Sequence, residues 1–203
     1  MLSLSSRLVE KAVEQFATLP GIGRKTALRF VLQMLRRDKE DVETFLEAIR
    51  QLKESIRECA RCHNISDGER CDICSDPKRD DTTICVVENI QDVISIESTG
   101  QFKGVYHVLG GVISPMDGVG PSDLHIATLL QRVEAPATRE VIFALGATIE
   151  GDTTAYYIYK KFPRREELVI TTLAKGIAVG NDLEYIDELT LGRSIVNRIR
   201  FTL

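Results

Sequence analysis

The sequence predicts a multidomain α/β protein, with a helical front end, a short metal-binding segment and an α/β body built on a mostly parallel sheet. Three observations carry this. Apolar residues recur at helical spacing through residues 7–57. Four of the 5 cysteines fall within residues 58–80. From Thr83 onward, short β-rich runs alternate with helical segments.

In the front region the helical pattern shows in Leu8, Val9, Ala12, Val13 and Phe16. It returns in Ala27, Leu28, Val31, Leu32 and Leu35, and a third time in Val42, Phe45, Leu46, Ile49, Leu52 and Ile56. In the body the expected strands are Ile84–Val87, Val105–Leu109, Glu140–Leu145 and Leu168–Thr172. The expected helices are Asn89–Ser98, Ser122–Val133, Gly151–Phe162 and Leu191–Phe201. No internal repeat or low-complexity tract interrupts this order.

The bulk numbers bound the function. The 203 residues are 43% hydrophobic and 28% charged, an ordinary globular composition. There is no tryptophan, so an extended aromatic platform for stacked bases is not expected. No apolar run reaches the roughly 20 residues of a membrane-spanning helix. The first residues lack a basic stretch followed by a long apolar one, so a cytoplasmic location is expected. Net charge is −4, which on average disfavours nucleic acid. The average hides an asymmetry: residues 1–57 carry a balance of +3 and the remainder −7. An anion-binding surface therefore belongs at the front, although three net charges over such a stretch are a weak signal alone.

The cysteines are spaced Cys59-x2-Cys62-x8-Cys71-x2-Cys74. A Cys-x2-Cys pair bends the backbone so that two thiolates reach one metal, and two pairs close a tetrahedral shell at about 2.3 Å per bond. A closed shell has no place for water, so the expected zinc is structural. Four thiolates also suit an iron–sulfur cluster. Disulfides are disfavoured in a reducing compartment, and a thioredoxin-like pair would sit near a βαβ unit. His63 is redundant beside four cysteines. Cys85, in an apolar run, reads as a small buried hydrophobe.

Leu19-Pro20-Gly21-Ile22-Gly23-Arg24-Lys25-Thr26-Ala27 breaks one helical pattern and starts another. Pro20 ends the first helix. Gly21 and Gly23 permit a tight hairpin, with Ile22 as its buried pin. The next helix opens near Arg24 with free N–H groups and the cations Arg24, Lys25 and Arg29, an arrangement that suits a phosphate and reads no base. This is the helix–hairpin–helix pattern. A P-loop fails because Lys25 does not follow a glycine and a helix, not a strand, precedes the turn. The alternative is a hairpin that packs or contacts protein.

Glu88 follows one expected strand, and Glu150-Gly151-Asp152 follows another. In an open parallel sheet functional groups gather at the carboxyl ends of strands, where acids can hold Mg²⁺. The alternative is that Glu150 and Asp152 simply favour a helix N-terminus.

In this order the features resemble the bacterial RecR recombination mediator family over nearly the whole chain. The likeness rests on the hairpin, the four cysteines, Val86-Val87-Glu88, Leu109 through Pro121, Glu150-Gly151-Asp152 and Asp182 through Arg193. It implies a helix–hairpin–helix region (1–57), a four-cysteine zinc finger (58–80), a Toprim domain (81–178) and a C-terminal Walker-B-like segment (179–203). It also implies dimers or ring-like tetramers that encircle DNA. With RecO and RecF, the family loads RecA onto single-stranded DNA coated by single-strand binding protein. Its DNA-binding residues map onto Lys25 and Arg29, and its partner-binding Toprim acids onto Glu88 and Glu150.

Catalytic Toprim domains pair one Glu with an Asp-x-Asp. The matching positions here are Gly146 and Thr148, which supply no carboxylate, so catalysis is not expected. His107 and His125 lie beside apolar residues and read as structural. Asp187 offers a loose Walker B likeness, but without a P-loop nucleotide hydrolysis is not expected.

Overall fold

A computed structural model describes residues 6–178, 180 and 182–200, which divide into two compact units at the Ile56–Arg57 junction. In the first, α1 (Arg7–Ala17) and α2 (Arg24–Met34) pack through Val13, Ala27 and Val31, with Val9, Phe16, Ile22 and Leu28 around them. The connection is a hairpin in which Gly21 takes φ +76°, a conformation glycine adopts without strain. Helix α3 (Lys39–Ser55) has no buried residue. Phe45, Leu46, Ile49 and Leu52 form an open apolar stripe along it.

The second unit begins with an antiparallel pair of two-residue strands, β1 (Arg57–Glu58) and β2 (Ile65–Ser66), and the short helix α4 (Asp72–Ser75). The body follows as β3 (Asp80–Val87), α5 (Ile90–Ser98), β4 (Gly104–Val108), α6 (Ile126–Glu134), β5 (Glu140–Ala144), α7 (Ile149–Tyr159), β6 (Val169–Thr172) and α8 (Glu188–Val196). The four body strands form one sheet, ordered β4-β3-β5-β6, and every pairing is parallel. The expected parallel sheet is therefore present.

Alternation along the central strand splits the core in two. Ile84 and Val86 face one side with Val105, Val141, Phe143, Leu129 and Ile158. Cys85 and Val87 face the other with Tyr106, Val108 and Val93. Helices α6 and α7 cover the first side and α5 the second. Cys85 is a buried small side chain whose thiol burial pushes up to about 12.

Several boundaries differ from the expected ones, each for a local reason. Strand β3 starts at Asp80, four residues before Ile84, because Asp80 pairs with Gly104 of β4 and Thr83 with Glu140 of β5. Strand β4 runs from Gly104 to Val108, not from Val105 to Leu109. A side chain at Gly104 would lie 2.6 Å from the Thr83 carbonyl, so only glycine allows this approach. Helix α6 starts at Ile126 rather than Ser122, because Pro121–Asp123 form a separate 3-10 turn. Helix α7 spans Ile149–Tyr159 rather than Gly151–Phe162, since Thr148 caps it by accepting from Gly151 N. Helix α5 starts after Asn89, which caps it. Strands β5 and β6 are each one residue shorter than expected.

In the C-terminal segment, Asp187 is the N-cap of α8 and accepts from Thr190 N at 2.9 Å. A Walker B acid ends a strand, and no strand runs into Asp187 among the described residues. Helix α8 covers Glu188–Val196 in place of the expected Leu191–Phe201, and Phe201 lies outside the described residues.

Candidate metal centre, cationic helix and Toprim acids

The four cysteines come from two local structures. Cys59 and Cys62 sit on the turn between β1 and β2, where Cys59 N donates to Asn64 O at 2.7 Å. Cys71 precedes α4, and Cys74 lies within it. All four are buried free thiols, and their sulfurs lie within 4.8 Å of one another. The Cys62–Cys71 separation is 3.6 Å, close to the roughly 3.8 Å edge of a tetrahedron with 2.3 Å zinc–sulfur bonds. The donor set fits one structural zinc. A bond with the Cys62 side chain holds the Cys74 thiol down to about 6 and pushes Cys62 up, while burial pushes Cys71 up.

The centre is tied to the body. Val108 N donates to Cys62 O at 2.8 Å, and Arg61 pairs with Asp81 at 2.8 Å. Arg132 of α6 donates through Nη1 to the Tyr106 carbonyl at 2.6 Å and to His107 Nδ1 at 3.2 Å. Its Nη2 is buried without a hydrogen-bond partner. Burial lowers the Arg132 pKa, Arg61 lowers it further, and the Cys74 and Cys62 sulfurs oppose both. A zinc tetrathiolate carries two negative charges, and these two guanidiniums offset part of them.

Three histidines adjoin this region. His107 is fully buried; burial first, then Arg132, drives its pKa down to about 3. Its Nε2 faces the His125 carbonyl at 2.8 Å, so the neutral ring carries its proton there. His107 is structural, as expected. His63 is the only non-glycine residue at positive φ among those described, at +61°, and it stacks on His125 with ring centroids 3.7 Å apart. The sequence does not signal that pairing, because the two positions are far apart along the chain.

On the hairpin side, Gly23 is the N-cap of α2 and offers no side-chain acceptor, so the first N–H groups of the helix are open. Lys25 and Arg29 are exposed, one helical turn apart, with no acidic partner among the described residues. With Leu28, Leu32 and Arg36 they line one groove. Arg36, in the turn just past the end of α2, is an addition to the expected cations, and its spacing of seven residues from Arg29 is the signal that could have found it. Arg24 differs from its neighbours in being paired with Glu10 at 3.0 Å.

Of the acids, Glu88 follows the end of β3, and Glu150 and Asp152 lie in the first turn of α7. They form no three-ligand metal group among the described residues. Asp152 is paired with Lys175 at 2.6 Å, a contact the sequence does not signal. Gly146 lies in the loop before α7 and Thr148 is spent on the α7 cap. Gly151 is required by close packing: a side chain there would sit 2.1 Å from the Gly146 carbonyl.

A helix–hairpin–helix, a four-cysteine finger and an acid-bearing parallel α/β sheet define the class, a zinc-finger protein of the Toprim type. Comparison with known families agrees. Residues 9–53 match the RecR helix-hairpin-helix model, residues 56–76 the RecR four-cysteine zinc finger domain, residues 82–174 the Toprim domain and residues 176–199 the RecR C-terminal model. The Recombination protein RecR of Bacteroides thetaiotaomicron is 58% identical over 197 residues, covering 97% of this chain and 96% of its own. That of Parabacteroides distasonis is 53% identical over 198 residues (98% and 95%), and that of Flavobacterium johnsoniae 52% over 200 residues (98% and 97%). The chain belongs to the RecR family of recombination proteins and has one structural zinc centre. No helix among the described residues is long and apolar enough to cross a membrane.

Proposed function

We propose that this chain is a recombination mediator that holds DNA through α2 and recruits partners through its Toprim acids, without catalysing a reaction. In this reading it acts in the cytoplasm, at the nucleoid, with RecO and RecF to load RecA onto single-stranded DNA coated by single-strand binding protein. The observation that carries it is the pair Lys25 and Arg29, exposed and without an acidic partner among the described residues, on the helix that follows the glycine hairpin. Open N–H groups and free cations bind phosphate whatever the base sequence, on single or double strands. Gly21 and Gly23 shape the turn. Arg24 contributes less, because Glu10 already neutralises it.

The division into residues 1–57, 58–80, 81–178 and 179–203 goes with this proposal. The apolar stripe on α3 supports a homo-oligomer, because Phe45, Ile49 and Leu52 gain burial against a second copy. Glu88, Glu150 and Asp152 are assigned to partner contacts. The Asp152–Lys175 pair and the Thr148 cap argue against a Mg²⁺ site for phosphoryl transfer.

The test is the double variant Lys25→Ala with Arg29→Ala, assayed for DNA binding at moderate salt. Affinity falls at least tenfold with unchanged thermal stability if the reading holds. Unchanged affinity overturns the hairpin assignment, and Mg²⁺-dependent nicking lost in Glu88→Gln overturns the non-catalytic one.

A further inference from the structure

Beside the cysteine cluster, Glu58 Oε2 lies 3.4 Å from His63 Nδ1 and 3.6 Å from His125 Nε2. These three ligand atoms lie within 4.8 Å of one another. None belongs to the four-sulfur shell.

The Thr128 hydroxyl lies 3.0 Å from the His125 carbonyl and 2.9 Å from His63 Nε2. In the tautomer with the His63 proton on Nε2, that proton is donated to the Thr128 oxygen and Nδ1 presents a lone pair to the Glu58 carboxylate at 3.4 Å, where a cation between them serves both. In the other tautomer Nδ1 donates to Glu58. A proton on Nδ1 satisfies two of the three groups, whereas a divalent metal satisfies all three.

The backbone carries a second sign. His63 is held in the left-handed region, where a glycine would sit without strain. The conformation belongs to the first cysteine turn, where His63 N donates to Cys59 O at 3.0 Å. That conformation directs the imidazole out of the finger towards α6, where Thr128 and His125 wait.

We propose that Glu58, His63 and His125 form a second, open metal site for a divalent transition ion of the zinc type. Two imidazole nitrogens and one carboxylate oxygen are the ligand set such an ion prefers over Mg²⁺ or Ca²⁺. Bonds of 2.0–2.1 Å in a tetrahedron put ligand atoms about 3.4 Å apart, which the spacing between Glu58 Oε2 and His63 Nδ1 matches. Part of the outer shell is in place, because Thr128 contacts His63 Nε2 and so orients that ring. Binding turns the part-exposed His125 ring out of its stack, so that Nε2 meets the ion in the ring plane. The fourth position goes to water. The ion thereby staples β1 and the first cysteine turn to α6.

The test is equilibrium dialysis of the zinc-loaded full chain against buffered micromolar free Zn²⁺, with metal counted per chain. Wild type takes up a second equivalent. His125→Asn and Glu58→Gln each stay at one, keeping the four-cysteine zinc and the wild-type circular dichroism. Thr128→Val, which removes only the partner of Nε2, weakens the second equivalent about tenfold. With Co²⁺ in the second site, wild type gains a weak visible band without new sulfur charge transfer. A wild-type chain that stays at one equivalent overturns the site. So does a second equivalent retained in both His125→Asn and Glu58→Gln.

Discussion

The Tyr106 hydroxyl donates to Glu97 Oε1 at 2.7 Å, from the fully buried strand β4 to the last turn of α5. Arg79 completes the contact with a two-pronged ion pair to the same carboxylate. One carboxylate thus ties α5 to the sheet edge and to the segment entering β3. Arg79 first, and then Tyr106 against some burial, hold the Glu97 pKa below the ordinary 4.5.

The sign of the pH effect follows from that direction. A carboxylate with a lowered folded pKa contributes stability that is present above its unfolded value of 4.5 and is lost as pH falls through the folded one. Glu97→Gln should cost about 1–3 kcal/mol at pH 7. It should also flatten the acid limb below pH 4.5, as read by denaturant unfolding at several pH values. A variant with wild-type stability at pH 7 and an unchanged acid limb would show that the cluster contributes nothing.

Gly151→Ala tests the close approach at the start of α7. The new methyl group meets the Gly146 carbonyl, which is backbone and has no flexible end to swing away. The helix start must shift, and a loss of about 1–3 kcal/mol is expected. The shift carries Glu150 and Asp152 with it, so the Asp152–Lys175 pair should loosen. A thermal midpoint within error of wild type contradicts the packing account.

Cys71→Ser tests the role of the zinc centre. The residues buried in the finger are the four cysteines with Asn64 and Ser66, so metal binding supplies most of its folding energy. Because Cys62 bonds directly to Val108 of β4, its collapse should propagate into the body. The expectation is lower solubility and thermal stability before any loss of DNA contact. A well-folded variant with selectively lost DNA binding would give the finger a direct role in reading DNA.

The sequence made visible what depends on local pattern. Both cysteine pairs, the Gly21 turn, the β/α alternation and the Thr148 substitution in the acid motif all show within a few residues. What it concealed is tertiary. Asp80–Thr83 look like a loop until neighbouring strands pair with them, because backbone bonds and not side chains place them in β3. The two-residue strands β1 and β2 carry no periodicity to detect. Lys175 meeting Asp152, and His63 stacking on His125, join positions that only the fold brings together. The apolar spacing in α3 reads correctly as helical, but spacing alone does not tell an internal face from an open one.

The central claim is that α2 holds phosphates through Lys25 and Arg29, and the salt dependence of DNA affinity measures it most directly. Each phosphate contact releases counterions and adds about 0.7–0.9 to the slope of log affinity against log salt. Removing both cations should reduce the magnitude of that slope by about 1.4–1.8, uniformly across DNA sequences. A double variant whose slope equals that of wild type would contradict the account.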